Sequence, residues 1–189
     1  MLFRSDSVNA FLRLRGLNDE NFLNTHYVVF ATKRGIVKKT CLKYYSRPRA
    51  MGVNAINILE GDEVVDVRLT NGHNELVMAN RNGRAVRFEE TAVRSMGRIA
   101  TGVIGMRLDG GDDEVVGMIV VNQADKETIM VVSENGYGKR SQVEDYRKTS
   151  RGTKGARRSL SVSNEEVASS KINIGGFFST ARAMLRRWR

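Results

Sequence analysis

The sequence lacks most of the residues that build disulfide-bonded or metal-bound frameworks. Its single cysteine, Cys41, excludes an internal disulfide network and a zinc site made of cysteines. Its two histidines, His26 and His73, argue against a dedicated histidine metal site. No run of roughly 18 apolar residues is present, which argues against a membrane-spanning helix. Arg4 interrupts the first residues, unlike a secretory signal, so we expect a reducing cytoplasm.

The sequence is rich in positive charge. Lysine and arginine total 31 against 21 acidic residues, which gives a formal net charge of +10. Residues 156–189 alone hold seven of these bases and only two of the acids. A basic balance of this kind favours a polyanionic partner. The usual partner is nucleic acid, and an anionic membrane or an acidic protein is less common.

Three landmarks recur along the chain with a period of about 50 residues. An apolar, β-branched run ends each time in a tight turn on Arg-Gly or Asn-Gly, and the turn glycines are Gly35, Gly83 and Gly136. A second glycine follows each turn, at Gly52, Gly102 and Gly155. An acidic turn that leads into Val-Val recurs at residues 61–65 and 112–116. Three landmarks with one period indicate an internal repeat.

Each repeat unit has the pattern of β-structure. Asn-Gly tolerates the positive φ angles that a two-residue hairpin turn requires, so each first landmark predicts a hairpin. Alternating apolar residues predict further strands at residues 53–58 and 103–108, and again at 64–69 and 115–121. The pattern at residues 8–14 is similar to that of 64–69, and residues 16–24 would follow it as a loop. Six methionines recur at these strand positions and are expected to fill the core: Met51, Met78, Met96, Met106, Met118 and Met130.

We therefore predict an all-β fold, a partial propeller-like array of four-stranded blades. The blades would occupy residues 25–74, 75–126 and, in part, 127–155. Residues 1–24 would be the remnant of a preceding blade and its outward loop. Residues 156–189 would form a basic tail, disordered or shifted out of the natural reading frame, with a basic amphipathic helix over 177–189 as the alternative. Propellers usually have four to eight blades, so we expect a fragment of a longer array.

Basic residues cluster at two fixed places in the repeat, beside the hairpin glycine and before the second glycine, while acids cluster in the acidic turns. Such segregation would give a disc with a positive rim, which could bind the phosphates of duplex DNA without reading its sequence. A solvated charged surface that discourages aggregation is the alternative. No catalytic or metal-binding set is predicted. The candidate DNA-binding residues are Lys33, Arg34, Lys38, Lys39, Arg47, Arg49, Arg81, Arg84, Arg87, Arg94, Arg98, Lys139, Arg140, Arg147, Lys148, Arg151 and Lys154.

The basic segments also resemble a known family. Residues 147–155, Arg-Lys-Thr-Ser-Arg-Gly-Thr-Lys-Gly, are similar to the arginine- and glycine-rich box of DNA gyrase A subunits and its degenerate copies. Residues 30–40, 93–103 and 133–140 are similar to neighbouring stretches of that family, in the same order. The resemblance covers about residues 6–155. It implies the C-terminal β-pinwheel of a type IIA topoisomerase, here about three blades.

The resemblance implies a function in DNA wrapping. In that family a six-bladed disc bends duplex DNA around its rim, which supports ATP-dependent negative supercoiling. The implied parent protein assembles with the gyrase B protein as a heterotetramer in the bacterial cytoplasm, at the nucleoid. ATP and Mg²⁺ would be used elsewhere in that complex, so no cofactor is expected in this chain. The cleaving tyrosine belongs to an N-terminal region absent here, so this chain is expected to be non-catalytic.

One departure limits the resemblance. Thr153 stands where the family's full box has a glycine, which favours a copy from a later blade, with the main box upstream. The corresponding C-terminal domain of topoisomerase IV is an alternative within the class, although its blades are more degenerate. A propeller-type protein-interaction module is the alternative from another class. It predicts weak DNA binding that does not depend on DNA length.

Overall fold

The computed structural model describes residues 8–14, 16–47, 49–124, 126–133, 138–156, 172–173 and 178–179. Within this part of the chain, the helical elements are one short helix, α1 (Glu20–Thr25), and three 3-10 turns, at Leu42–Tyr45, Glu90–Ala92 and Val143–Asp145. The strands are β1 (Tyr27–Thr32), β2 (Ile36–Cys41), β3 (Val64–Thr70), β4 (Glu75–Asn80), β5 (Ala85–Glu89), β6 (Val103–Ile104), β7 (Val115–Val121), β8 (Glu127–Ser133), β9 (Gly138–Gln142), β10 (Ile172–Asn173) and β11 (Phe178–Ser179). The all-β prediction is confirmed.

Each repeat unit begins with an antiparallel hairpin, as the turn glycines predict. β1 pairs with β2, β4 with β5, and β8 with β9. Gly35 and Gly83 adopt φ angles of +82° and +76°, a backbone conformation that costs glycine little. The third turn glycine, Gly136, lies outside the described residues.

The strand after each acidic turn lies on the far edge of the hairpin. β3 pairs with β1 and β7 pairs with β4, both antiparallel, which confirms the strands predicted there. Each pairing has a register shift at the equivalent place, between Ala31 and Thr32 and between Ala79 and Asn80. The repeat therefore extends to the irregularities of the sheets.

The fourth strand of a blade comes from the following unit. Residues 53–58, where a strand is predicted, contain none in the structure, and the pattern at 103–108 yields only β6. β6 pairs with β2 of the preceding unit, with Val103 opposite Val37. In the same way, Ala156 bridges Ala85 of the second unit. The strand predicted at residues 53–58 is therefore wrong, and the alternating pattern at 103–108 does not specify which sheet its strand joins.

Both ends of the array differ from the central units. Residues 8–14, which have a strand pattern, form no strand, although Leu12 and Leu14 pack against the first blade. Asp19 caps α1 by accepting from the amide of Asn21 at 2.9 Å, within the predicted loop. At the other end, β10 and β11 pair with the free edge of β8. Apart from these strands and Ala156, the tail and the predicted helix over 177–189 lie outside the described residues.

The hydrophobic core lies between successive blades. Val29 and Val37 of the first blade pack with Leu76, Phe88 and other side chains of the second, and a similar cluster joins the second blade to the third. Hairpin strands are consequently covered on both faces, and all but one residue of β4 is buried. The part of the chain that the structure describes contains no helix with the length and hydrophobicity to span a bilayer.

Most of the methionines occupy the expected places. Met78, Met106 and Met118 are fully buried, and Met96 packs against the same cluster. Met51 is different, because its side chain is 97% exposed. The prediction that it fills the core is wrong, because Met51 lies in an exposed turn closed between Arg49 and Gly52.

Candidate nucleic-acid interface

The bases beside the hairpin turns lie against the acidic turns. Lys33 Nζ is 2.7 Å from Glu63 Oε2, and this hydrogen bond raises the pKa of Lys33. Arg81 pairs with Glu114 in the equivalent place of the next unit. The expected segregation of acids from bases is wrong at these turns, because the strand that follows each acidic turn returns to the hairpin.

Two other bases of the hairpin set have related surroundings. Arg84 Nη2 lies 3.0 Å from Asp109 Oδ2, which makes an ion pair. The backbone amide of Arg34 donates to Asp62 Oδ1 at 3.0 Å, while its side chain is exposed. Lys33, Arg81 and Arg84 are therefore compensated locally, whereas the backbone hydrogen bond of Arg34 does not neutralise its guanidinium.

Lys38 is buried in spite of its charge. Its Nζ donates to the backbone oxygens of Ala55 at 2.6 Å and Arg98 at 2.5 Å, and it lies 5.5 Å from the centre of the Phe30 ring. Burial lowers its pKa to about 8, and the nearby positive charge of Arg98 adds to the effect. Lys38 therefore joins two loops of adjacent units, and its buried ammonium group is not accessible to a phosphate.

Arg87 and Lys39 occupy equivalent positions and are also buried. Arg87 Nη1 donates to the oxygens of Val143 and Tyr146, at 2.9 and 3.0 Å, and its Nε donates to Glu75. Lys39 Nζ donates to the oxygen of Glu90 at 3.2 Å. Each side chain thus reaches the 3-10 turn of the following unit.

These contacts argue against a DNA-binding role for three of the predicted residues. A phosphate contact needs a solvent-accessible cation, whereas all three side chains are committed to protein carbonyls and carboxylates. We leave them out of the candidate interface: Lys38, Lys39 and Arg87.

Much of the exposed positive charge lies on three basic loops. We define these as residues 46–52, 93–102 and 146–155, each between a 3-10 turn and the second glycine of its unit. Four of their arginines are exposed and have neither an acidic partner nor a side-chain hydrogen bond in the described part of the chain: Arg47, Arg49, Arg94 and Arg147. Arg98 is half-buried beside them. On β9, Lys139 and Arg140 are also exposed.

Other bases of the third basic loop have protein partners. Lys148 bridges Glu75 and Glu89, at 2.8 Å each, and the hydrogen bonds that it donates to these carboxylates raise its pKa. Lys154 is 3.0 Å from Asp109. Arg151 is exposed, but its guanidinium donates to two backbone oxygens. These residues hold the loop on the second blade.

Successive basic loops attach to the preceding blade in the same way. The amide of Met96 donates to the oxygen of Lys39 at 2.8 Å, and the amide of Thr149 donates to the oxygen of Arg87, also at 2.8 Å. Arg94 and Arg147 therefore project from equivalent points of consecutive blades. The result is a row of exposed arginines that can neutralise phosphates along a path.

The described residues include four exposed bases outside the predicted set: Arg13, Lys43, Arg107 and Lys126. Lys43 and Arg107 do not recur at the equivalent position of another unit, so the repeat gave no signal for them. The amide of Arg107 donates to Thr153 at 2.9 Å, which places it beside the third basic loop. Among the described residues, no three His, Cys, Asp or Glu side chains are grouped in a way that could hold a metal ion.

Known proteins share both the sequence and the fold. The family described as DNA gyrase C-terminal domain, beta-propeller, matches residues 26–71, 74–122 and 127–155. The DNA gyrase A protein of Staphylococcus aureus is 40% identical over 154 residues, which are 82% of this chain and 17% of that protein. The chain thus spans about a sixth of the length of the curated relatives it matches.

Solved structures agree. The C-terminal domain of a DNA topoisomerase IV is 34% identical with a TM-score of 0.71, covering 85% of this chain and 48% of that one. A DNA gyrase A C-terminal domain, 24% identical with a TM-score of 0.68, covers 84% of this chain and 52% of that one and shares the fold. Since the family match spans all three repeat units, this chain belongs to the DNA gyrase A C-terminal domain family.

Proposed function

We propose that this chain binds and bends duplex DNA through its basic loops. The observation that carries the proposal is the repeated placement of exposed arginines, Arg94 and Arg147, on consecutive blades without acidic partners in the described part of the chain. The first basic loop adds Arg47 and Arg49. Locally compensated bases elsewhere contribute little to a phosphate site, so the loops concentrate the available charge.

The physics of DNA supports bending along such a row. Duplex DNA carries a charge about every 1.7 Å, so a curved path of cations can neutralise successive phosphates. Bending a site by 40–90° costs about 1–6 kcal/mol, which contacts on several blades can offset. Arginine contacts with phosphates carry no sequence information, so binding is expected to be non-specific and steeply dependent on salt.

We propose that this chain is part of the A-type polypeptide of a DNA gyrase. That polypeptide would pair with the gyrase B protein as a heterotetramer, would support negative supercoiling, and would act in the bacterial cytoplasm at the nucleoid. ATP, Mg²⁺ and the cleaving tyrosine would be supplied by other parts of that complex. The supporting observation is the 40% identity to the S. aureus gyrase A protein.

A role in topoisomerase IV is the second candidate. The likeness to the topoisomerase IV C-terminal domain, with 34% identity, favours it. The two candidates differ in the activity of the parent enzyme. Negative supercoiling of relaxed plasmid would support the gyrase role, and decatenation without supercoiling would support the topoisomerase IV role.

The DNA-binding proposal can be tested with the whole chain and two charge-matched variants. The loop variant, R47A/R94A/R147A, removes one exposed arginine from each unit. The hairpin variant, K33A/R68A/R81A, removes three bases that are paired with acids, so both variants lose the same net charge. Binding to duplexes of roughly 20 and 100 base pairs would be measured across a salt series, with circular dichroism to verify folding.

We expect the unmodified chain to bind the long duplex more tightly than its additional sites alone explain. The loop variant should lose most of this binding, and the hairpin variant should retain it. Equal losses in both variants would mean that net charge matters and the loops do not. Weak, length-independent binding by the folded, unmodified chain would favour a protein-interaction module.

A further inference from the structure

Two of the basic loops carry an exposed apolar side chain at their tips. Met51 is 97% exposed and Ile99 is 77% exposed. Both lie 16 residues after the hairpin glycine of their unit, Gly35 and Gly83, so they occupy the same position of the repeat. The third unit has Gly152 there. A single exposed apolar side chain is ordinary on a protein surface, but its recurrence at one position of the repeat calls for an explanation.

The backbone holds both tips in the same way. The amide of Gly52 donates to the oxygen of Arg49 at 2.8 Å, and the amide of Ala100 donates to the oxygen of Gly97 at 3.3 Å. Each bond closes a four-residue β-turn in which the apolar side chain, Met51 or Ile99, is the third residue. The tips are thus presented outward by closed turns.

The two tips also belong to neighbouring loops. Asn57 lies in the loop that follows Met51. Its backbone amide donates to the backbone oxygen of Ala100 at 3.3 Å, directly beside Ile99. Lys38 strengthens this contact, because its Nζ donates to the backbone oxygens of both Ala55 and Arg98. The segment that follows the first basic loop is therefore fixed to the second basic loop, within a few residues of Met51 and directly beside Ile99.

Charge surrounds each apolar tip. Arg47 and Arg49 flank the first tip, and Arg94 and the half-buried Arg98 flank the second. An apolar protein partner would not favour a surface with this much positive charge, whereas duplex DNA offers phosphates to the arginines and apolar base faces between them. Proteins that kink DNA insert side chains such as Ile and Met between base pairs from the minor groove.

We propose that Met51 and Ile99 are wedges that enter base steps of bound duplex DNA and localise its bending. The inference rests on the proposed DNA binding and adds a role for the loop tips. The arginines bind the phosphate backbone of the DNA. Each wedge unstacks one base-pair step at its loop and so lowers the free-energy cost of bending the duplex. Flexible pyrimidine–purine steps should then be preferred, because they unstack most easily.

The test compares a fully paired duplex of about 40 base pairs with the same duplex carrying a central two-base mismatch, which is already unstacked. A wedge favours the mismatched duplex, and a preference of about tenfold is expected for the whole chain because unstacking a paired step is costly. The variant M51S/I99S should bind both duplexes equally with an unchanged salt slope. The variant M51L/I99L should keep the preference. Fluorescence energy transfer between the duplex ends would report bending in parallel.

A matched control is Leu59→Ser. Leu59 is 48% exposed and is the first residue of a turn closed by the amide of Asp62. This turn is acidic, so the substitution should leave the mismatch preference intact. Retention of the preference by M51S/I99S, or its absence from the unmodified chain, would overturn the wedge. Failure of the unmodified chain to bind either duplex would overturn the proposed DNA binding itself, which separates the two failures.

Discussion

The guanidinium of Arg87, in the second blade, lies 2.9 Å from the backbone oxygen of Val143 in the third. Lys39 and Glu90 repeat this relationship one unit earlier, at 3.2 Å. In both cases a base on the second hairpin strand binds the first residue of the next 3-10 turn. Successive blades are therefore joined by a buried cation as well as by apolar packing.

Replacement of Arg87 by methionine should destabilise the fold strongly. The change leaves the oxygens of Val143 and Tyr146 without this donor, and Glu75 loses one of its two cationic partners. Breaking a buried charged pair typically costs about 3–5 kcal/mol, and Lys148, which still neutralises Glu75, should bring the loss towards the lower end. Urea unfolding followed by circular dichroism measures this free energy.

Arg94→Met serves as the control for that substitution. Arg94 is exposed on the second basic loop, and surface changes usually lie within about 0.5 kcal/mol. Similar unfolding midpoints for the two variants would contradict the structural role of Arg87.

Gly35 should tolerate alanine far less than Gly52. Both have positive φ angles, +82° and +77°. A Cβ at Gly35 would lie 2.2 Å from the backbone oxygen of Met106, whereas one at Gly52 would meet nothing within 4 Å. Gly52→Ala should cost only the conformational penalty of about 1–2 kcal/mol, and Gly35→Ala should cost clearly more.

Thermal unfolding of the two glycine variants would measure the difference. Equal stabilities would show that the backbone of the second unit does not press on the first hairpin as closely as the geometry indicates.

Lys38 should make stability depend on pH above neutrality. Its pKa falls from 10.5 to about 8 in the folded protein, so the unfolded chain binds the proton more strongly between these values. Stability rises with pH wherever the unfolded state holds more protons, so the unmodified chain should gain stability relative to Lys38→Met from pH 8 towards pH 10.5. The measurement is the difference between their urea midpoints at each pH.

The comparison with Lys38→Met isolates one group, because its neighbours Arg98 and Tyr45 remain in both proteins. A difference that stays constant over this pH range would mean that the lysine titrates as if it were exposed.

The salt dependence of DNA binding should identify the arginines that meet phosphates. Each phosphate neutralised contributes a slope of about −0.9 to the logarithmic plot of affinity against salt concentration. Arg94→Ala should therefore make the slope shallower by roughly one. Arg81→Ala should leave it unchanged, since Arg81 already pairs with Glu114. The reverse order would assign the interface to the hairpin turns.

Local sequence signals were sufficient for the hairpins and the strands after the acidic turns. Gly35 and Gly83 permit tight turns, and β-branched residues around them favour extended chain. These features depend on a few neighbouring residues, so a single sequence contains them. The period of the repeat supplied the number of units.

The burial of charge could not be predicted in the same way. Lys38 and Lys39 follow Val37 in a pattern that indicates a polar, exposed strand end. They are buried because the next unit contributes carbonyl oxygens at the right distance, a contact between residues far apart in the chain. Contacts between distant residues also explain the ion pairs of Lys33 and Arg81. The strand after each acidic turn pairs with the hairpin and brings an acidic side chain beside each base.

The exchange of the fourth strand has a consequence for protein synthesis. The oxygen of Gly35 accepts from the amides of Gly105 and Met106, so the first hairpin obtains these partners only when the second unit has been translated. One edge of each blade therefore stays unpaired until the next repeat has been translated. Folding of the nascent chain should advance in steps that lag one unit behind elongation, and a translational pause after a hairpin would prolong the interval in which an unpaired edge can meet another chain.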